Sequence, residues 1–166
     1  MSDADDLPPL CAMCNMCCDG TLFSHARMEP GEEAQAHSVG LAVFDAEGRP
    51  AFRLPCPRVT AQGCSVYDRR PDKCRRYRCE TLKALDTGDI DRREAGRRVA
   101  RARETIDQIT HLFELESLAA VRRQIATSSP DWRAHPAQAL ALARLQLLLD
   151  RYFLRPDKRV LSGPDG

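Results

Sequence analysis

Cys11, Cys14, Cys17 and Cys18 fall within eight residues near the start of the chain, and Cys56, Cys64, Cys74 and Cys79 follow. No cysteine lies beyond Cys79 in the 166 residues. Two intervening residues let the sulfurs of Cys11, Cys14 and Cys17 converge on one point, as metal-binding loops require. Adjacent side chains diverge, so Cys18 serves a second ion, bridges two, or stays free. The pattern predicts a metal centre built from two sequence-distant strings of thiolates, with all eight cysteines as candidate ligands.

Other uses of cysteine fit less well. The segment Met1–Leu10 is acidic and has no apolar stretch, which predicts no secretory signal. The chain therefore reads as cytoplasmic, where structural disulfides are disfavoured. A thioredoxin-like Cys-x-x-Cys needs a surrounding βαβ pattern, and none is evident. Buried cysteines acting as small hydrophobes do not explain the clustering. Among the histidines His25 is nearest the string, yet eight thiolates suffice for two four-coordinate sites. His25, His37, His111 and His135 read as surface or capping residues, and no catalytic residue can be named.

Composition narrows the rest. Aromatic residues make up 5% of the chain and the net charge is +1, so neither a strong field for nucleic acid nor a set of stacking rings is present. Nucleic acid is not expected as a partner, and no apolar run is long enough to span a membrane. Arg69, Arg70, Lys73, Arg75, Arg76 and Arg78 crowd around Cys74 and Cys79. Their charge would offset thiolates on a metal and lower thiol pKa values; a solvated basic loop competes with that reading. Arg75 is the residue singled out for such a role.

The elements that must position these thiols can be read in outline. Residues 1–9 are expected to be disordered, residues 10–88 to form a cysteine-cluster region, residues 89–157 a helical region packed on it, and residues 158–166 a tail. The fold class is α+β and mostly helical. Within the first region a loop carries the string, a short helix runs from Pro30 to His37, and Gly40 ends it. Leu41–Phe44 and Ala51–Leu54 flank Asp45–Pro50 as a hairpin whose loop is longer than the tightest type. Cys64–Tyr67 adds a short strand or turn, Arg70-Pro71 opens a helical segment carrying Cys74, and Glu80–Asp86 is helical. From Asp91 the period becomes helical: Ala95, Val99, Ala102, Ile106, Ile109 and Phe113 form one stripe. Arg93, Arg97, Arg101 and Glu104 lie opposite, and Leu118, Val121 and Ile125 continue the pattern to Ser128-Ser129-Pro130. A last helix spans about Pro136 to Leu154, interrupted by Arg144, Asp150 and Arg151. Its stripe of Leu142, Leu145, Leu149 and Tyr152 is broadened by Leu140, Leu147 and Leu148. Such a helix is either sandwiched in the core or offered to a protein partner.

The string Cys11-Ala-Met-Cys14-Asn-Met-Cys17-Cys18, then Cys56, then Gly63-Cys64-Ser-Val-Tyr67-Asp-Arg-Arg70-Pro71-Asp-Lys-Cys74-Arg75-Arg-Tyr77-Arg-Cys79, resembles the CxxCxxCC cysteine-cluster family (YkgJ-type). The resemblance covers about residues 10–85. It implies chelation of zinc or iron by the cysteines, and for most members no established reaction. The domain also occurs in flagellin lysine N-methylase, a much longer enzyme in which an iron–sulfur centre is implicated in methyl transfer. The functional classes are thus a metal-binding protein, an iron–sulfur-dependent modifying enzyme such as a methyltransferase, and a zinc-stabilised interaction module that presents its C-terminal helices. Cys11, Cys14 and Cys17 match the start of a ferredoxin string, and Cys56-Pro57 offers its closing Cys-Pro. An iron–sulfur cluster is therefore favoured slightly over zinc, and Cys56 is expected to join Cys11, Cys14 and Cys17.

Overall fold

A computed structural model describes residues 10–158, so the expectations for residues 1–9 and for the end of the tail lie outside the described residues. The chain divides between Tyr77 and Arg78 into two units. This falls ahead of the 88/89 boundary read from the change of period. Helix α4 (Glu80–Asp86) already belongs with the long helices, because Glu80 N–H donates to the Phe153 carbonyl at 3.2 Å and the Thr81 hydroxyl donates to the Tyr152 carbonyl at 2.5 Å.

The first unit is made of short pieces. Helix α1 (Leu10–Cys14) is followed by strand β1 (His25–Arg27), helix α2 (Glu33–Ser38), β2 (Val43–Asp45), β3 (Pro50–Arg53), β4 (Val59–Thr60), β5 (Gly63–Cys64) and α3 (Asp72–Arg76). Strands β1, β3 and β2 form an antiparallel sheet in that order, with Ala26 opposite Phe52 and Val43 opposite Phe52. The expected hairpin is β2–β3, and its turn is tighter than expected. Ala46 and Arg49 exchange both backbone hydrogen bonds across Glu47-Gly48. Both central residues take positive φ, 57° and 79°, the two-residue geometry whose twist suits flanking strands. Strand β1 was not foreseen. The sheet and α2 enclose a small core of Met28, Ala36, Val39, Leu41 and Phe52.

The second unit is helical, as the periodicity requires. Helices α5 (Arg92–Phe113), α6 (Leu118–Ser128) and α7 (Pro136–Tyr152) follow α4. Asp91 caps α5 by accepting from Glu94 N–H at 2.7 Å, and Ser117 caps α6 through Ala120 N–H at 3.2 Å. Glu114 in the left-handed region ends α5, so Leu118 and Val121 begin a separate helix instead of prolonging the first stripe. Ala95, Val99, Ala102, Ile106 and Ile109 of α5 are buried, as are Leu145, Leu148 and Leu149 of α7. Arg144 and Arg151 are exposed, but Asp150 is fully buried and accepts from Gln146 Nε2 at 2.7 Å. Helix α7 is neither sandwiched throughout nor wholly presented: Leu140 and Leu147 remain 72% and 56% exposed. No helix among the described residues is long and apolar enough to cross a membrane.

Candidate metal centre

Four segments of the first unit bring four of the thiols together. Helix α1 stops at Asn15, whose positive φ of 52° is one that asparagine tolerates. The chain then turns so that Cys18 N–H donates to the Asn15 carbonyl at 2.8 Å. Beyond the central strand β3, Cys56 N–H donates to the Cys18 carbonyl at 2.7 Å, which seats the two cysteines side by side. Cys64 lies on β5, opposite Val59 in the β4–β5 hairpin. This hairpin is pressed against α1, since a Cβ on Gly63 would come 3.4 Å from Ala12 Cα. With φ at +107°, Gly63 also holds a backbone that other residues rarely adopt. Asn15 Nδ2 adds a bond to the Thr60 carbonyl at 3.3 Å.

Cys74 arrives on α3, and the Tyr67-x-x-Arg70-Pro71 run explains how. The Arg70 guanidinium stacks 3.5 Å over the Tyr67 ring while its Nε donates to the Tyr67 carbonyl at 2.7 Å. Pro71 precedes the first helical residue, and its carbonyl receives Cys74 N–H at 3.0 Å. Glu32 ties this helix to the core unit: one carboxylate oxygen receives Asp72 N–H at 2.7 Å and the other Glu29 N–H at 2.9 Å.

Electrostatics show that the four thiols are neighbours. Burial pushes the Cys18 thiol up to about 12, and Cys56, Cys74 and Cys64 push it the same way. Burial likewise raises Cys74 to about 11, with Cys56 and Cys64 adding to the shift and Arg70 opposing it. Cys56 is raised by burial and by Cys64, against backbone donors and Arg58. Cys56 and Cys74 pack on the apolar core, which is the source of the desolvation. Among the described residues no three Cys, His, Asp or Glu side chains stand in ready-made ligating geometry.

The other predicted ligands lie on α1, on the turn after it and at the head of α4. Cys14 is buried and Cys11 exposed on α1, and Cys17 is half-buried. Cys79 heads α4 in the second unit, its Sγ accepting from Leu82 N–H at 3.4 Å. Cys56, expected to close the Cys11–Cys14–Cys17 string, is joined to the turn after α1 through its backbone bond to Cys18. Arg75 lies on α3, next to Cys74 in sequence. Its guanidinium donates to the carbonyls of Arg70, at 3.0 Å, and of Asp68, so it braces the loop before α3. Arg70 favours the Cys74 thiolate and Arg58, which the sequence reading passed over, favours that of Cys56. Arg76 pairs with Asp72 and Arg78 with Asp86. His25 lies on β1 with its ring against Phe44.

A small cysteine-rich unit joined in sequence to a helical one is the class that these features define. The profile of the CxxCxxCC family, described as "Putative zinc- or iron-chelating domain", matches residues 10–98. That is more than half of the chain, and the protein belongs to this family. No curated protein and no solved structure gives a match to the chain.

Proposed function

We propose that the protein chelates a metal ion, zinc or iron, with Cys18, Cys56, Cys64 and Cys74 as one four-thiolate set. The observation that supports this reading is the gathering of four thiols from four separate segments within mutual electrostatic reach. Thiols gathered from separate segments could share one ligand, and an all-thiolate set accepts either metal. A bound ion would cross-link the segments and contribute folding free energy to a unit with few large apolar side chains. Binding must displace the thiol protons, so affinity rises with pH.

The sequence argument for an iron–sulfur cluster joins the Cys11, Cys14 and Cys17 spacing to Cys56-Pro57. A single four-coordinate ion is the reading preferred here, because Cys18, Cys56, Cys64 and Cys74 all lie within electrostatic reach of one another. Cys11, Cys14, Cys17 and Cys79 keep the ligand role that their spacing and the family resemblance give them. Metal analysis and visible absorbance after anaerobic purification test the proposal. Stoichiometric zinc or iron, without the broad absorbance and acid-labile sulfide of a cluster, is the expected result. Metal-free protein that takes up neither ion would overturn it.

A further inference from the structure

Arg58 lies two residues after Cys56, and three observations set it apart from the other basic residues near the quartet. Its Nε is buried and has no hydrogen-bond partner, alone in this among side-chain nitrogens and oxygens of the described residues. An unsatisfied N–H on a charged group is costly, so its retention calls for an acceptor in the working state. The guanidinium also lies directly over Gly40: a Cβ there would come within 1.9 Å of Nη2, 2.9 Å of Cζ and 3.3 Å of Nε. Glycine at that position leaves the space that the guanidinium fills.

The backbone of Arg58 is fixed between two of the thiols. Its N–H donates to Cys56 Sγ at 3.4 Å, and its carbonyl receives both Ser65 N–H at 2.9 Å and the Ser65 hydroxyl at 3.1 Å, next to Cys64. We infer that Arg58 is the positioning and charge-balancing residue of the quartet, its buried Nε–H reserved for a thiolate sulfur of the loaded site. Four thiolates around a divalent ion retain net negative charge, and a sulfur in that state is the acceptor that Nε–H lacks. The bond is charge-assisted and shielded from water, the setting in which such bonds are strongest. Gly40 belongs to the same device, since any side chain there displaces the guanidinium.

This inference rests on the chelation reading and extends it to a residue that binds no metal itself. The test uses the full chain and cobalt(II) as probe, with affinity from competition against a chelator and the thiolate-to-cobalt charge-transfer band as a second readout. Arg58→Gln is expected to weaken cobalt binding by about 10–100-fold, the usual effect of removing a partner of a metal ligand, and to shift the band. Arg58→Lys, which keeps the charge but lacks Nε–H, is expected to recover part of the affinity. Gly40→Asn keeps Arg58 and a residue tolerant of positive φ, and it is expected to reproduce the Arg58→Gln spectrum. Wild-type affinity and an unshifted band in Arg58→Gln would overturn the inference while leaving chelation intact. Should Arg58→Gln fail to fold, a wild-type spectrum and affinity in Gly40→Asn would overturn it equally. A wild-type protein that takes up no cobalt would overturn both readings.

Discussion

The two units solve the problem of stability in opposite ways. Up to Tyr77 the elements run from two to six residues, and the cluster under the three-stranded sheet has five buried side chains, one of them aromatic. From Arg78 onward, helices of 22 and 17 residues bury repeated stripes of alanine, isoleucine and leucine against each other. Isolated short helices and two-residue strands do not persist on their own in water. The first unit therefore needs a cross-link that the second can do without. Its four gathered thiols are where such a link would form. The comparison shows why every cysteine but one lies on the side with the weaker core.

Removing a thiol of the quartet should break this contrast most strongly. Structural metal sites in small domains are worth about 10–16 kcal/mol at neutral pH. Cys74→Ser is expected to lose the ion of the quartet and to unfold the sheet of the first unit, while α5 and α7 keep their hydrogen-exchange protection. Equal loss of protection in both units would contradict the division.

The converse substitution sharpens it. Leu149 of α7 is 2% exposed, and Leu149→Ala should cost about 2–5 kcal/mol. Denaturant melts should register that loss in the helical unit. Metal content per chain should remain unchanged, and a parallel fall in bound metal would count against independent cores.

A pH titration separates the units by sign. In metal-free protein the folded-state pKa values of Cys18 and Cys74 lie above the ordinary 9.0, near 12 and 11. The folded state therefore holds those protons more tightly, and the resulting stability is complete below pH 9 and lost as pH rises towards 12. Loaded protein should respond the other way, since acid returns protons to the thiolates and releases the ion. A metal-free first unit whose melting temperature is flat from pH 8 to about pH 11 would be inconsistent with the burial described. The smallest effect is expected at a cap: Ser117→Ala should destabilise α6 by about 1 kcal/mol, with metal affinity unaltered.

Local features were legible in the sequence where one segment carries its own signal. The stripe from Ala95 to Ile109 defined α5, Arg70-Pro71 announced α3, and hydrophobic runs on either side of Asp45–Pro50 gave the β2–β3 hairpin. Strand β1 escaped because three residues show no period, and its pairing with β3 is set by the fold. Divergence of adjacent side chains set Cys18 apart from Cys17 in the sequence. Its companions were not legible, because the Cys18–Cys56 backbone bond spans the whole sheet. Arg58 was hidden for a similar reason: its significance depends on Gly40, which sequence places in an unrelated turn. For Arg75, proximity in sequence to Cys74 did not reveal the carbonyls of Asp68 and Arg70 that engage it.

Replacing Cys11, Cys14, Cys17 and Cys79 together by serine leaves Cys18, Cys56, Cys64 and Cys74 as the remaining thiols, and X-ray absorption on that variant loaded with zinc tests the central claim most directly. The account predicts one ion per chain in a shell of four sulfurs at about 2.3 Å. A folded variant that holds no stoichiometric zinc, or holds it with fewer than four sulfurs, would contradict it.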